Sequence, residues 1–207
     1  MRKVVDIVQG FIGSGKTTLI NSLIENVFPH ENILVVLTEW GNTQVVQRDS
    51  RITTYSWNFE KGFSLDVMRQ IIRRGPFQRI IFEINGLTSG SQIIDGLMQL
   101  ANEGQICLGA KMAVFDGRKY DLLGESFKAI LYQTAVTSDG FWIHNANKNI
   151  CKWLASINSE AHQSTGGDLI KWYGQVAHAG QRKIRDLIIC VFVPVSVYVI
   201  IYILISQ

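Results

Sequence analysis

Residues 10–17 read G-F-I-G-S-G-K-T, the spacing of a phosphate cradle. Gly10, Gly13 and Gly15 let the backbone wrap so that successive N–H groups face phosphate oxygens, and Ser14 lies within the same turn. Lys16 is placed to reach β- and γ-phosphates and Thr17 to hold Mg2+ through its hydroxyl, with Thr18 continuing the binding segment. A ligand-free glycine-rich turn is the plain alternative. The flanking pattern argues against it: a β-branched run at residues 4–8 leads in, and helical spacing over 17–26 leads out. That order sets a helix N-terminus, with its partial positive charge, against the anion.

The elements that must position this loop are legible as alternating periods. Buried-strand runs occupy residues 33–38, 77–84, 111–115 and 141–145, with a weaker one at 52–55. Helical stripes separate them. Leu65, Met68, Ile71 and Ile72 form one, stopped by Gly75-Pro76, and Ile93, Ile94, Leu97, Met98 and Ala101 form the next. A single helix is expected to carry Leu122, Leu123, Phe127, Ile130 and Leu131, and another Ile150, Trp153, Leu154 and Ile157. Strands alternating with helices predict an α/β fold with a mainly parallel sheet flanked by helices. The expected division is a nucleotide-binding domain over 1–157, a connector over 158–183 with a short helix near 168–176, and a separate apolar segment over 184–206.

Composition bounds the function. The 207 residues hold 20 Lys plus Arg against 17 Asp plus Glu, a formal charge of +3, too mild to predict a nucleic-acid partner. Cys107, Cys151 and Cys190 are far apart and include no C-x-x-C pair, so neither a disulfide framework nor a thiolate zinc site is predicted. His30, His144, His162 and His178 show no ligand spacing with nearby cysteines or carboxylates. Asp6 interrupts the first apolar run, which excludes a signal peptide there.

The 47% hydrophobic share is ordinary, but it is concentrated at one end. Residues 187–207 carry no charge, and 17 of these 21 are hydrophobic. A helix over 187–205 would span about 28 Å, close to the roughly 30 Å hydrocarbon layer of a bilayer. Arg182, Lys183 and Arg185 precede it and nothing charged follows. The expectation is therefore a single C-terminal transmembrane helix, with the nucleotide domain on the cytoplasmic side by the positive-inside rule.

Several segments together resemble the CobW branch of metal-handling GTPases, relatives of the hydrogenase- and urease-maturation GTPases. G-F-I-G-S-G-K-T-T-L-I-N at 10–21 is similar to that family's opening. L-V-V-L-T-E-W-G at 34–41 resembles its strand ending in an asparagine-glutamate-x-glycine switch, with Glu39 and Gly41 matching and Thr38 replacing the asparagine. I-I-F-E-I-N-G-L at 80–87 resembles its E-x-x-G-L segment, and V-F-D-G at 114–117 its next strand ending in aspartate. The likeness covers about residues 1–150. It implies a Mg2+-dependent hydrolase of GTP (or ATP). Glu83 would orient a magnesium water or the attacking water as a catalytic residue and hold the metal together with Thr17. Glu39 would be the second catalytic residue, sensing the γ-phosphate as a switch. For each carboxylate the competing explanation is a solvated residue at a loop end, and for Asp116 it is turn or helix capping.

The departures are as informative. The family's C-x-C-C motif falls near W-N-F-E-K-G-F-S at 57–64, which has no cysteine. The guanine-selecting asparagine-lysine-x-aspartate motif falls on N-A-N-K at 145–148, keeping Asn145 as a nucleotide contact but placing Ala146 and Lys148 where lysine and aspartate belong. Discrimination for guanine should weaken accordingly, because an unpaired buried donor costs roughly 1–3 kcal/mol. The leading expectation is a membrane-anchored GTPase in metal or cofactor handling beside a membrane partner such as a permease. The alternatives are a nucleotide-binding adaptor with little hydrolysis and a small-molecule kinase.

Overall fold

The computed structural model describes residues 2–38, 45, 50–57, 63–85, 90–123 and 125–192. Its strands are β1 (Lys3–Gly10), β2 (Ile33–Leu37), β3 (Ile52–Ser56), β4 (Arg79–Asn85), β5 (Ile106–Asp116), β6 (Gly140–His144) and β7 (His162–Ser164). They form one sheet in the order β3-β2-β4-β1-β5-β6-β7, every neighbouring pair parallel. Parallel strands need crossovers, and among the described residues α1 (Lys16–Asn26), α2 (Leu65–Arg73), α3 (Gly90–Asn102), α4 (Gly117–Leu123), α5 (Lys128–Val136) and α6 (Lys148–Ile157) lie on them, while α7 (Leu169–Phe192) follows the last strand.

Both sheet faces are covered, which is why the central strands read as unbroken apolar runs instead of alternating ones. Val5, Ile7, Leu34, Val36 and Phe82 face α2 and α3, while Ala113, Phe115, Phe141 and Ile143 face α5 and α6. On the other side Val8, Val35, Ile81 and Met112 pack against Leu19, Ile20 and Leu23 of α1 and Trp172 and Val176 of α7. Because β1 is the fourth of seven strands, the phosphate loop leaves the middle of the sheet at its C-terminal edge, where ligands of parallel α/β sheets bind.

The expected strands all form, with boundaries moved by one or a few residues. Two differences are larger. The stripe expected as one helix over Leu122 to Leu131 breaks after α4, and the chain turns at 125–127 before α5. Leu122 is left 82% exposed, while Leu131 is buried. Phe127 sits at the break and packs on Phe11 of the phosphate loop with ring centroids 4.9 Å apart. The second difference is the segment 158–183, expected as a connector. It contributes β7 to the sheet and the packed part of α7 to the core: Trp172 is 4% exposed and Val176 fully buried. Its polar, glycine-containing sequence hides this because β7 is an edge strand of three residues and only one stripe of α7 faces inward.

A buried polar knot ties α7 to the lower half of the sheet. The register between β1 and β5 shifts between Val5 and Ile7, so β5 carries an extra residue there. The Asp6 carboxylate satisfies the displaced Ala110 N–H at 2.6 Å. The same carboxylate pairs with the Arg79 guanidinium and accepts from the Tyr173 hydroxyl at 3.2 Å. Arg79 also forks onto Glu31 (2.7 and 3.1 Å) and lies 3.8 Å over the Phe28 ring. Burial pushes the Asp6 carboxyl above its ordinary value, against the pull of Arg79 and the hydrogen bonds.

Among the described residues no helix is long and apolar enough to cross a membrane. The expected transmembrane segment 184–206 lies outside the described residues apart from 184–192, whose backbone continues α7.

Candidate nucleotide site

β1 delivers the chain to Gly10 with φ +153°, and a Cβ there would come within 2.5 Å of the Val114 carbonyl on β5. Only glycine fits between the two strands at this point. The loop then folds back, with Ser14 N–H donating to the Phe11 carbonyl at 3.1 Å. Gly15, at φ +101°, takes the N-cap position of α1, and no side chain caps that helix end. The His144 ring from the end of β6 lies against it: a Cβ on Gly15 would be 2.6 Å from Nε2. The loop is thus held between two neighbouring strand ends, and its glycines are where side chains would collide.

The buried lysine follows directly. Lys16 is 4% exposed, and its ammonium donates to the Phe11 carbonyl at 3.3 Å. Ser14 is equally buried, and its Oγ has no hydrogen-bond partner among the described residues, as is also true of His144 Nε2. Buried polar atoms of this kind are costly unless something pairs with them, and both border the loop.

Thr17 and Glu83 meet at the base of the loop. The Thr17 hydroxyl stands 3.0 and 3.1 Å from the two Glu83 carboxylate oxygens, and both residues are buried. Register brings this about: Glu83 pairs with Val8 on β1 two residues before the loop, while Thr17 opens α1 beyond it. Thr38, at the end of β2, fastens the same place by donating both its N–H (3.2 Å) and its hydroxyl (3.0 Å) to the Glu83 carbonyl. A hydroxyl and a carboxylate are the hard oxygen donors that suit Mg2+. The donor set therefore fits the ion that the sequence motif implies.

The remaining expected residues are distributed differently. Thr18 lies on the exposed side of the first turn of α1. Asn145 is exposed at φ +46° after β6, and its amide donates to the Asp116 carboxylate at 3.2 Å. Asn147 caps α6 by accepting from the N–H groups of Asn149 and Ile150, which makes Lys148 the first residue of that helix. Glu39 lies outside the described residues. Two neighbours of the loop were not singled out for it by spacing. His144 lies against Gly15, and Lys119 donates to the Ile12 carbonyl at 2.8 Å. Neither has a motif of its own, since each reaches the loop only because β5 ends beside β1 and β6 beside β5. Next to Lys119, Phe11, Phe115, Tyr120, Phe127 and Leu131 line a small apolar pocket. Burial and the neighbouring Glu125 and Asp121 carboxylates push the Tyr120 phenol above its ordinary value, so it stays protonated at neutral pH.

Residues 4–56, from β1 through β3, match the family model described as CobW/HypB/UreG, nucleotide-binding domain. The curated zinc chaperone YeiR of Escherichia coli K12 is 29% identical over 125 residues, covering 55% of this chain. The segment from β1 to β3 is thus similar to the nucleotide-binding domain of the CobW/HypB/UreG family. Among solved structures, this chain is similar in fold to the Zn(II)-bound YjiA GTPase of E. coli, with TM-score 0.60 and 22% identity over 81% of the chain. It is also similar to the hydrogenase maturation factor HypB of Archaeoglobus fulgidus, with TM-score 0.57 and 16% identity over 83% of the chain and 87% of HypB. The chain spans 37% of the length of YeiR and 59% of that of YjiA.

Proposed function

We propose that this CobW-type chain binds a nucleoside triphosphate with Mg2+, hydrolyses it as a GTPase, and serves metal or cofactor handling at a membrane. The observation that carries the reading is the meeting of Thr17 with Glu83 beneath a formed phosphate loop. Thr17 and Glu83 would hold Mg2+, which supplies charge neutralisation to the β- and γ-phosphate oxygens. Lys16 leaves the Phe11 carbonyl for those same oxygens, and the open N-terminus of α1 adds its dipole. Glu83, tied through its backbone to Thr38, relays the presence of a ligand to the strand that leads into the Glu39 segment. The similarity to a zinc chaperone supports the metal-handling assignment.

Membrane anchoring rests on the sequence of the tail, with Arg182, Lys183 and Arg185 before an uncharged stretch. By the positive-inside rule the nucleotide domain faces the cytoplasm. The natural neighbour is an integral membrane partner such as a permease.

A specific observation favours a second reading, an adaptor that holds nucleotide with little turnover. The position that would carry the guanine-selecting aspartate is spent on starting α6, with Lys148 as its first residue behind the Asn147 cap. One experiment separates the readings. Calorimetry of the 207-residue chain in detergent with Mg-GTP and Mg-ATP, followed by phosphate release, should show binding lost in Lys16→Ala and hydrolysis lost in Glu83→Gln. Binding without release would establish the adaptor, and no binding to either nucleotide would end both.

A further inference from the structure

A second ammonium group stands on the phosphate loop. Lys119, half-buried on α4, donates to the Ile12 carbonyl at 2.8 Å, one residue along from the carbonyl that receives Lys16. Its Nζ lies directly over Gly13, where a Cβ would approach it to 2.5 Å. Among the described residues no carboxylate reaches ion-pair distance of Lys119. The aspartates beside it in sequence accept from other groups: Asp116 from Arg118 N–H and Asn145, Asp121 from Asn147 at 2.8 Å. A cation resting on a neutral carbonyl, with no counter-charge among the described residues, borders a loop built to receive anions.

The helix that carries Lys119 also bridges the two loops a nucleotide would touch. Asn145 reaches Asp116, and Asn147 reaches Gly117 and Asp121, so the segment after β6 is laced onto α4. Lys119 then links α4 to the phosphate loop.

We propose that Lys119 is a second cation of the phosphate site, delivered by α4, and that it binds the polyphosphate of a nucleoside triphosphate. The inference rests on the nucleotide-binding reading above. On ligand entry Lys119 exchanges a neutral acceptor for an anionic one, and charge-assisted hydrogen bonds are roughly twice as strong. It reads phosphate and not base, so its loss weakens GTP and ATP together.

The test compares the parent chain with Lys119→Met and Lys119→Arg, titrating Mg-GTP and Mg-ATP at several salt concentrations and recording the thermal midpoint without ligand. Lys119→Met should weaken both nucleotides about tenfold and flatten the salt dependence, because one charge contact is gone. Lys119→Arg should retain most of the affinity, and the ligand-free midpoint of Lys119→Met should fall only by the few degrees that one lost half-exposed hydrogen bond costs. Parent-like affinity in Lys119→Met overturns the inference and leaves the nucleotide reading standing. Weaker binding with an unchanged salt dependence makes Lys119 a brace of the loop only and overturns it as well. A parent chain that binds neither nucleotide overturns both.

Discussion

The Thr17 hydroxyl, at the first turn of α1, lies within 3.1 Å of both carboxylate oxygens of Glu83, on β4. Sixty-six residues separate them in sequence, and the parallel pairing of β1 with β4 closes that distance. Each has a distinct expected phenotype. Glu83→Gln keeps the size and one acceptor oxygen but loses the charge, so nucleotide binding should persist while phosphate release falls about 10²-fold or more. Thr17→Ala removes the hydroxyl itself and should weaken binding in Mg2+ while changing little in EDTA. Calorimetry and a phosphate-release assay on both variants check this.

Gly15 and His144 predict a steric result. Gly15→Ala places a methyl 2.6 Å from the His144 ring and forces a non-glycine residue to φ +101°. The strain should cost on the order of 1–3 kcal/mol in urea unfolding and abolish nucleotide binding. Adding His144→Ala should relieve the clash but leave the backbone strain, so stability should recover only in part.

Arg79 and Asp6 predict a large stability effect far from the site. Arg79→Met leaves the fully buried Asp6 without its counter-charge and should destabilise by about 3–5 kcal/mol. Tyr173→Phe removes one hydrogen bond to Asp6 and should cost about 1 kcal/mol. Chemical denaturation of the two variants, run side by side, would show whether the ion pair or the hydroxyl dominates the attachment of α7.

Base preference should be adjustable. Lys148→Asp restores the carboxylate that can accept guanine N–H donors, at the price of changing the first residue of α6. The ratio of GTP to ATP affinity should rise about tenfold, a difference near 1.4 kcal/mol. Competitive binding of the two nucleotides measures it, and an unchanged ratio would show that residue 148 does not face the base.

Much of this protein is decided locally and is visible without a structure. G-F-I-G-S-G-K-T between an apolar run and a helical stripe determines a phosphate loop, because backbone turns and helix starts depend on neighbours a few residues away. The alternation of strand and helix periods determines the parallel α/β architecture in the same way. Segments that pack through sparse contacts were less legible. The three residues of β7 are too few to show a period, and Trp172 and Val176 lie in a stretch of α7 where Lys171, Gln175, His178 and glycines interrupt the apolar stripe. The break between α4 and α5 was hidden because Leu122 and Leu123 extend an apolar stripe although Leu122 ends up exposed.

At the site itself, the sequence determined which residues line the loop: Gly10, Gly13, Ser14, Gly15, Lys16 and Thr17 all fall within residues 10–17. Only the tertiary structure decided what surrounds it. Glu83 is brought in by β4, His144 by β6 and Lys119 by α4, each through strand order and not through spacing along the chain. The physical reason is that a parallel sheet gathers the C-terminal ends of strands remote in sequence onto one edge, and no local pattern records which strand will be whose neighbour.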